Sequence, residues 1–189
     1  MKIIIIGIAG AGKSTLARRL ADSLNLPVLH LDTLWHATDY SAEAERLFRE
    51  KQQTFINSHE HWLIDGNYSG SLDERLPYVD KIIWLKMSRF KAIFRVMKRS
   101  WAFHKNRQSR PEMPSEFTEK LDSAYLDFLK FVWDFPQKSN KRLAAQLDQF
   151  QTWDKVVVLK NQREIEKYLT NEAIAIIESA SVIYGAKRH

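Results

Sequence analysis

The chain has 189 residues and no cysteine, so a disulfide framework and a thiolate metal site are excluded and one compact domain is the expectation. Its formal charge of +6 is concentrated: ten Lys or Arg and no Asp or Glu fall between Lys81 and Pro111, while the remainder holds 19 basic against 23 acidic residues. A basic surface spread over the molecule would suggest nucleic acid, whereas one basic segment in a mildly acidic chain suggests phosphate handling inside a site.

Lys2 to Ile6 predicts the first strand, and Thr15 to Leu24 the first helix. Between them Gly7-Ile8-Ala9-Gly10-Ala11-Gly12-Lys13-Ser14 matches the G-x-x-x-x-G-K-[ST] phosphate loop in its proper setting between strand and helix. Glycines let successive backbone N–H groups turn inward around phosphates, and the helix that follows adds the positive end of its dipole. The candidate ATP-binding residues are therefore Gly7, Ala9, Gly10, Ala11, Gly12, Lys13, Ser14 and Thr15. Lys13 reaches the terminal phosphates, and Ser14 offers a hydroxyl to Mg²⁺, a hard ion that keeps most of its waters.

Val28 to Leu31 predicts a second strand ending at Asp32, and Trp62 to Ile64 a third ending at Asp65. A helix over about 42–56 lies between them, with Ala44, Leu47, Phe48 and Phe55 as its expected buried side. Lys81 to Leu85 and Val156 to Leu159 supply two further strands. Near-continuous apolar strands alternating with helices imply an α/β fold with a parallel sheet covered on both faces. A carboxylate at a strand's C-terminal end lies beside the ligand crevice in such a sheet, which makes Asp32 a candidate acceptor-binding group or general base and Asp65 a candidate Mg²⁺-side carboxylate.

After the fourth strand a helix is expected from about 89 to 101, with Phe90, Phe94, Met97 and Trp101 in the core and Arg95 and Arg99 facing away from them. Residues 102–114, polar and interrupted by Pro111, read as a lid carrying Arg107 and Arg110. Helices over about 115–133 and 141–150 precede the last strand, and 163–169 opens the closing helices. No stretch approaches the ~20 apolar residues of a membrane span, and Ile3 to Ile6 is too short for a secretory h-region, so a cytoplasmic protein without a membrane partner is expected.

With the phosphate loop, Asp32, Leu63-Ile64-Asp65-Gly66-Asn67-Tyr68 and the arginine-rich segment in hand, the chain resembles the adenylate-kinase-like P-loop kinases over about residues 1–170, and within them the FlaR-type "DNA topology modulation protein" group. That resemblance implies a P-loop NTPase fold with a sheet in the order 2-3-1-4-5, a mobile lid, an appended C-terminal helix at about 171–186, and transfer of the ATP γ-phosphoryl group to a small acceptor. It implies that Asp65 organises waters around Mg²⁺ and that Arg95 and Arg99 hold nucleotide and transferring phosphate, with Arg107 and Arg110 as loose counterparts of lid arginines. Lys13, Asp32, Arg95, Arg99, Arg107 and Arg110 make up the candidate catalytic set. Asn67-Tyr68-Ser69 stands where adenylate kinases have Phe-Pro-Arg, which argues against a nucleoside monophosphate acceptor and leaves the acceptor open. Two other readings stay open here: a nucleotide-binding regulator linked to DNA topology, and an NTPase without a dedicated acceptor.

Overall fold

The computed structural model describes residues 1–106 and 122–172. The apolar runs become five strands, β1 (Lys2–Gly7), β2 (Val28–His30), β3 (Trp62–Asp65), β4 (Lys81–Leu85) and β5 (Val156–Leu159). They form one all-parallel sheet in the order β2-β3-β1-β4-β5, the arrangement of a P-loop NTPase fold. Ile3, Ile4, Ile5 and Ile6 of the central strand are all fully buried, because helices cover both faces. Each contributes roughly 1.5–3 kcal/mol of burial. Chain order reverses at β1, where Ile5 lies opposite Asp65 and Gly7 opposite Leu85, so the loops after β1 and β3 open the crevice where ligands of such sheets bind.

Helix α1 (Lys13–Leu24) starts directly from the phosphate loop. Strand β2 is shorter than expected: it stops at His30, and Asp32 sits in the first turn of a short helix, α2 (Leu31–His36). The reason lies across the crevice at Gly66, whose φ is +139° and where an added Cβ would fall 2.8 Å from Leu31 Cβ. Leu31 therefore packs on bare backbone and turns the chain into α2, which leaves the Asp32 carboxylate at a helix start that favours negative charge.

Helix α3 (Ala42–Ser58) is capped by the Ser41 hydroxyl, which accepts from the Ala44 N–H at 3.1 Å. It buries Ala44, Phe48, Gln52 and Ile56, while Phe55 is half-buried and Leu47, an expected core residue, is exposed. The buried stripe includes a polar residue because Gln52 donates to the Phe48 carbonyl at 3.2 Å and to Ser71 Oγ at 3.1 Å. Satisfied in this way, its amide costs little.

Helix α4 (Arg89–Lys105) corrects the sequence reading most sharply. Phe90, Phe94, Met97 and Trp101, expected in the core, are 71%, 68%, 52% and 63% exposed. The buried face is Ala92, Val96, Ser100 and Phe103. Small residues face inward because α4 lies against the phosphate loop itself: at Gly10, with φ +79°, an added Cβ would sit 2.7 Å from the Ala92 carbonyl oxygen and 3.2 Å from Val96 Cγ2. Beside Gly10 there is no room for a bulky side chain, and the one large buried residue of α4, Phe103, comes two turns later than Val96. The helix also runs through 102–105, placed in the lid from sequence. The rest of the expected lid, with Arg107 and Arg110, lies outside the described residues, as do Phe117 and Leu121 of the next expected helix.

That helix, α5 (Ser123–Asp134), buries Val132 and half-buries Phe128 as expected. It is joined to α4 by the Tyr125 hydroxyl, which donates to Ser100 Oγ at 3.1 Å, and by an edge-on contact of Phe90 with Trp133 at 5.2 Å. Helix α6 (Ser139–Gln149) and α7, over 162–172, complete the described fold. The Arg19 guanidinium donates twice to Glu166, both bonds 2.7 Å, and so ties α1 to α7. Of the expected C-terminal helix at 171–186, the first two residues continue α7 and the remainder lies outside the described residues. Among the described residues no helix is long and apolar enough to cross a membrane.

Candidate active site

A cavity of about 1120 Å³ opens at the carboxyl ends of the strands. Its floor is the phosphate loop, with Ala9, Gly10, Gly12, Lys13, Ser14 and Thr15 on the wall, and Asp32, Arg95 and Arg99 line it as well. Gly7 and Ala11 are not on this wall: the Gly7 N–H is taken by Asn67, and Ala11 is buried with its N–H on the Ile8 carbonyl at 3.2 Å. Helix α1 opens at Gly12 without a side-chain cap, so its first-turn N–H groups stand at the cavity as unsatisfied donors. Such a helix start is a ready anion site.

The side chains above that floor are short of negative charge. Lys13 folds back so that its ammonium donates to the Ile8 carbonyl at 3.3 Å. Loss of hydration pulls its pKa below the ordinary lysine value, the Asp65 and Asp32 carboxylates partly offset this, and Arg99 adds to the lowering. Arg99 is half-buried, and its Nε is buried with no hydrogen-bond partner. Arg95 is one turn away on the same cavity wall. Three cations lining one cavity, one of them with a buried unfilled donor, favour a polyanion.

Asp65 is buried behind this wall at the end of β3. One carboxylate oxygen meets His30 Nδ1 at 3.0 Å, and the other, Oδ1, is buried without a partner. An orphaned carboxylate oxygen beside a phosphate loop, with the Ser14 hydroxyl on the cavity wall, fits a hydrated Mg²⁺. Among the described residues no group of three His, Asp or Glu could hold a metal by itself.

The four residues after Ile64 act as one built turn. The Asn67 side-chain amide pairs with the Gly7 backbone in both directions, accepting from its N–H and donating to its carbonyl, each at 2.7 Å. Tyr68 adopts φ 36° and ψ 62°, unusual for a residue with a side chain, and its hydroxyl donates to Asp32 Oδ1 at 2.9 Å. Burial first, and then the Asp32 charge, push the Tyr68 phenol far above its usual pKa, so it remains a donor. What holds this turn is Arg75. Fully buried, it donates to the carbonyls of Gly66 at 2.9 Å, Asn67 at 2.7 Å and Tyr68 at 3.2 Å. Burial lowers its pKa to about 9, with Asp73 and Asp65 opposing, so the guanidinium keeps its charge at neutral pH.

The structure therefore brings Lys13, Ser14, Thr15, Asp32, Arg95 and Arg99 to one cavity and sets Asp65 just behind it. Sequence reasoning missed Arg75 and the role of Asn67. The signal available was Asn67 in the Ile-Asp-Gly-Asn-Tyr block, but nothing in the sequence marks an arginine as buried. Asn67→Ala is expected to free the loop's first residue and weaken ATP binding several-fold, since a paired backbone group would be left without its partner. Calorimetry showing wild-type affinity would mean that the loop keeps its shape without Asn67.

No family model matches the chain, and no curated protein matches it. Solved structures do. A gluconokinase from Sinorhizobium meliloti 1021 is similar with a TM-score of 0.51 and 12% identity, covering 94% of this chain and 96% of that one. A protein from Chloroflexus aurantiacus j-10-fl assigned as a kinase is similar with a TM-score of 0.51 and 14% identity, covering 89% of this chain and 95% of that one. At such identities the likeness concerns the fold.

Proposed function

We propose that this protein is an ATP- and Mg²⁺-dependent phosphotransferase that moves the γ-phosphoryl group of ATP to a hydroxyl of a small acceptor. The observation that carries this reading is the convergence, in one cavity, of an uncapped helix start, the cations Lys13, Arg95 and Arg99, and the Asp32 carboxylate. A simple nucleotide switch would need the phosphate loop but not an Asp32 carboxylate in the same cavity fixed by the Tyr68 hydroxyl. The fold of the two kinases described above is in keeping with this reading, as is the resemblance to adenylate-kinase-like enzymes of the FlaR-type group.

In this mechanism the loop N–H groups and Lys13 hold the β and γ phosphates, and Arg95 and Arg99 neutralise charge as the phosphoryl group passes. Tyr68 occupies one oxygen of Asp32, which leaves the other to accept the proton of the acceptor hydroxyl. The acceptor oxygen bonds to the γ phosphorus as the bond to the ADP oxygen breaks, and the proton passes to Asp32. Ser14 and, through water, Asp65 would hold Mg²⁺, which when bound screens the phosphate charges. Arg107 and Arg110, which lie outside the described residues, would add to that screening in this single kinase unit. The enzyme would work on a soluble cytoplasmic acceptor.

Asp65→Asn should leave the fold intact, raise the Mg²⁺ concentration needed for half-maximal rate and lower kcat. An unaltered Mg²⁺ titration would reassign Asp65 to a structural role. The acceptor reading is tested by soaking crystals with an ATP analogue and a metabolite pool. Density for a hydroxyl compound beside Asp32 is the expected result, and density only at the phosphate loop would favour an NTPase without an acceptor.

A further inference from the structure

The wall that α5 and α6 give to the cavity has no part in holding ATP in the scheme above, and its composition is specific. Tyr125, Phe128 and Phe135 line it, facing a cavity that Trp35 and Tyr68 line from the α2 side. Trp35 and Tyr68 are themselves packed as an edge-on pair at 6.3 Å. We infer that the acceptor is a flat, largely apolar hydroxyl compound bearing an anionic group, a carboxylate or a phosphate monoester, which Arg142 of α6 receives. This inference rests on the phosphotransfer reading and names the acceptor class that the reading leaves open.

Placement comes first. The Gln146 amide donates to the Ser69 carbonyl at 2.8 Å and so pins α6 to the turn that carries Tyr68. Arg142 lies one helical turn before Gln146 on the same face, and it lines the cavity with Ser139 and Leu143. It therefore adds its charge on the acceptor side, from a different element than Lys13, Arg95 and Arg99.

Availability is the second point. Lys138 also lines the cavity, but its ammonium is held by Asp134 at 2.8 Å. The Arg142 guanidinium, unlike its backbone N–H, has no hydrogen-bond or ion-pair partner among the described residues. The acids of the lining are committed elsewhere: Asp122 caps α5 by accepting from the Tyr125 N–H at 3.3 Å, and Asp32 holds Tyr68. A planar guanidinium without a partner matches the paired oxygens of a carboxylate or phosphate.

The third point is the body of the acceptor. Rings on facing walls bury a flat apolar group well. A polyhydroxylated compound would set its hydroxyls against those rings and lose their hydrogen bonds. One hydroxyl at Asp32, a flat body beside the rings and an anion at Arg142 match these three parts of the lining.

Three probes separate these contributions: 4-(hydroxymethyl)benzoate, 4-(hydroxymethyl)phenyl phosphate and the neutral 4-(hydroxymethyl)benzamide. Each is titrated by ligand-observed NMR into the full chain saturated with Mg²⁺ and a non-hydrolysable ATP analogue, so that the phosphate loop is already filled. At least one anion should bind about tenfold or more tighter than the amide, as expected for a charge-assisted pair. Arg142→Gln should abolish that preference without changing the affinity for the ATP analogue, and the tighter anion identifies the natural group. Equal affinity for all three probes, binding of none of them by a protein that does bind the analogue, or a preference that survives in Arg142→Gln would each overturn the inference while leaving phosphotransfer intact. Failure of the wild-type protein to bind the analogue at all would overturn the phosphotransfer reading and this inference with it.

Discussion

Arg75→Met is expected to lower the unfolding free energy by about 2–4 kcal/mol and to impair nucleotide binding although Arg75 does not line the cavity. Two effects oppose each other. Removing a buried charge relieves the desolvation that depresses its pKa, and methionine fills much of the volume. Against that, the carbonyls of Gly66 and Asn67 lose the guanidinium that donates to them, the Gly66 carbonyl in a buried position. Two stranded acceptors, at about 1–3 kcal/mol each, outweigh the relief, while the Tyr68 carbonyl keeps the Ser71 N–H at 2.9 Å. The functional loss follows from geometry, because the same turn presents Asn67 to Gly7 and Tyr68 to Asp32. Arg75→Lys, which keeps a charge but cannot span three carbonyls, should fall between wild type and Met. Urea unfolding and ATP calorimetry on the pair of variants check this, and a Met variant with wild-type stability would show that the turn stands by itself.

Lys13→Ala should separate stability from function in the opposite direction. The Lys13 ammonium is desolvated, lies near Arg99 and has one long hydrogen bond to a carbonyl, so the unliganded variant should melt at the same temperature or higher. ATP-dependent turnover should fall by a factor on the order of 10²–10³ or more, as for loss of a donor aimed at developing charge. A destabilised variant that retains turnover would make Lys13 a structural residue.

Most of the sheet was legible in the sequence because strands covered on both faces must be apolar throughout, and Ile3 to Ile6 or Ile82 to Leu85 admit few other readings. The phosphate loop was legible because its glycines, lysine and serine have a fixed order. The α4 stripe misled for a physical reason. Hydrophobicity ranks Phe90 and Trp101 above Ala92 and Ser100, whereas the space beside Gly10 admits only small side chains, and a close backbone approach leaves no trace in a periodicity count. Asp32 was expected at a strand's end and lies instead in α2, at the cavity, since the turn into α2 depends on Leu31 meeting Gly66 across the crevice. Arg75 was illegible for a similar reason. An arginine reads as surface until three carbonyls are seen to converge on it, and those carbonyls belong to a turn whose shape only the folded chain defines.

The central claim is that γ-phosphoryl leaves ATP for a hydroxyl held at Asp32, and the fate of that group tests it most directly. The protein is incubated with Mg²⁺, γ-labelled ATP and a fractionated metabolite pool, and the products are followed by ³¹P NMR and mass spectrometry. The account predicts one fraction in which ADP appears together with an equal amount of a new phosphate monoester, a product that is lost in Asp32→Asn. Release of inorganic phosphate alone in every fraction, at a rate that Asp32→Asn does not change, would contradict it.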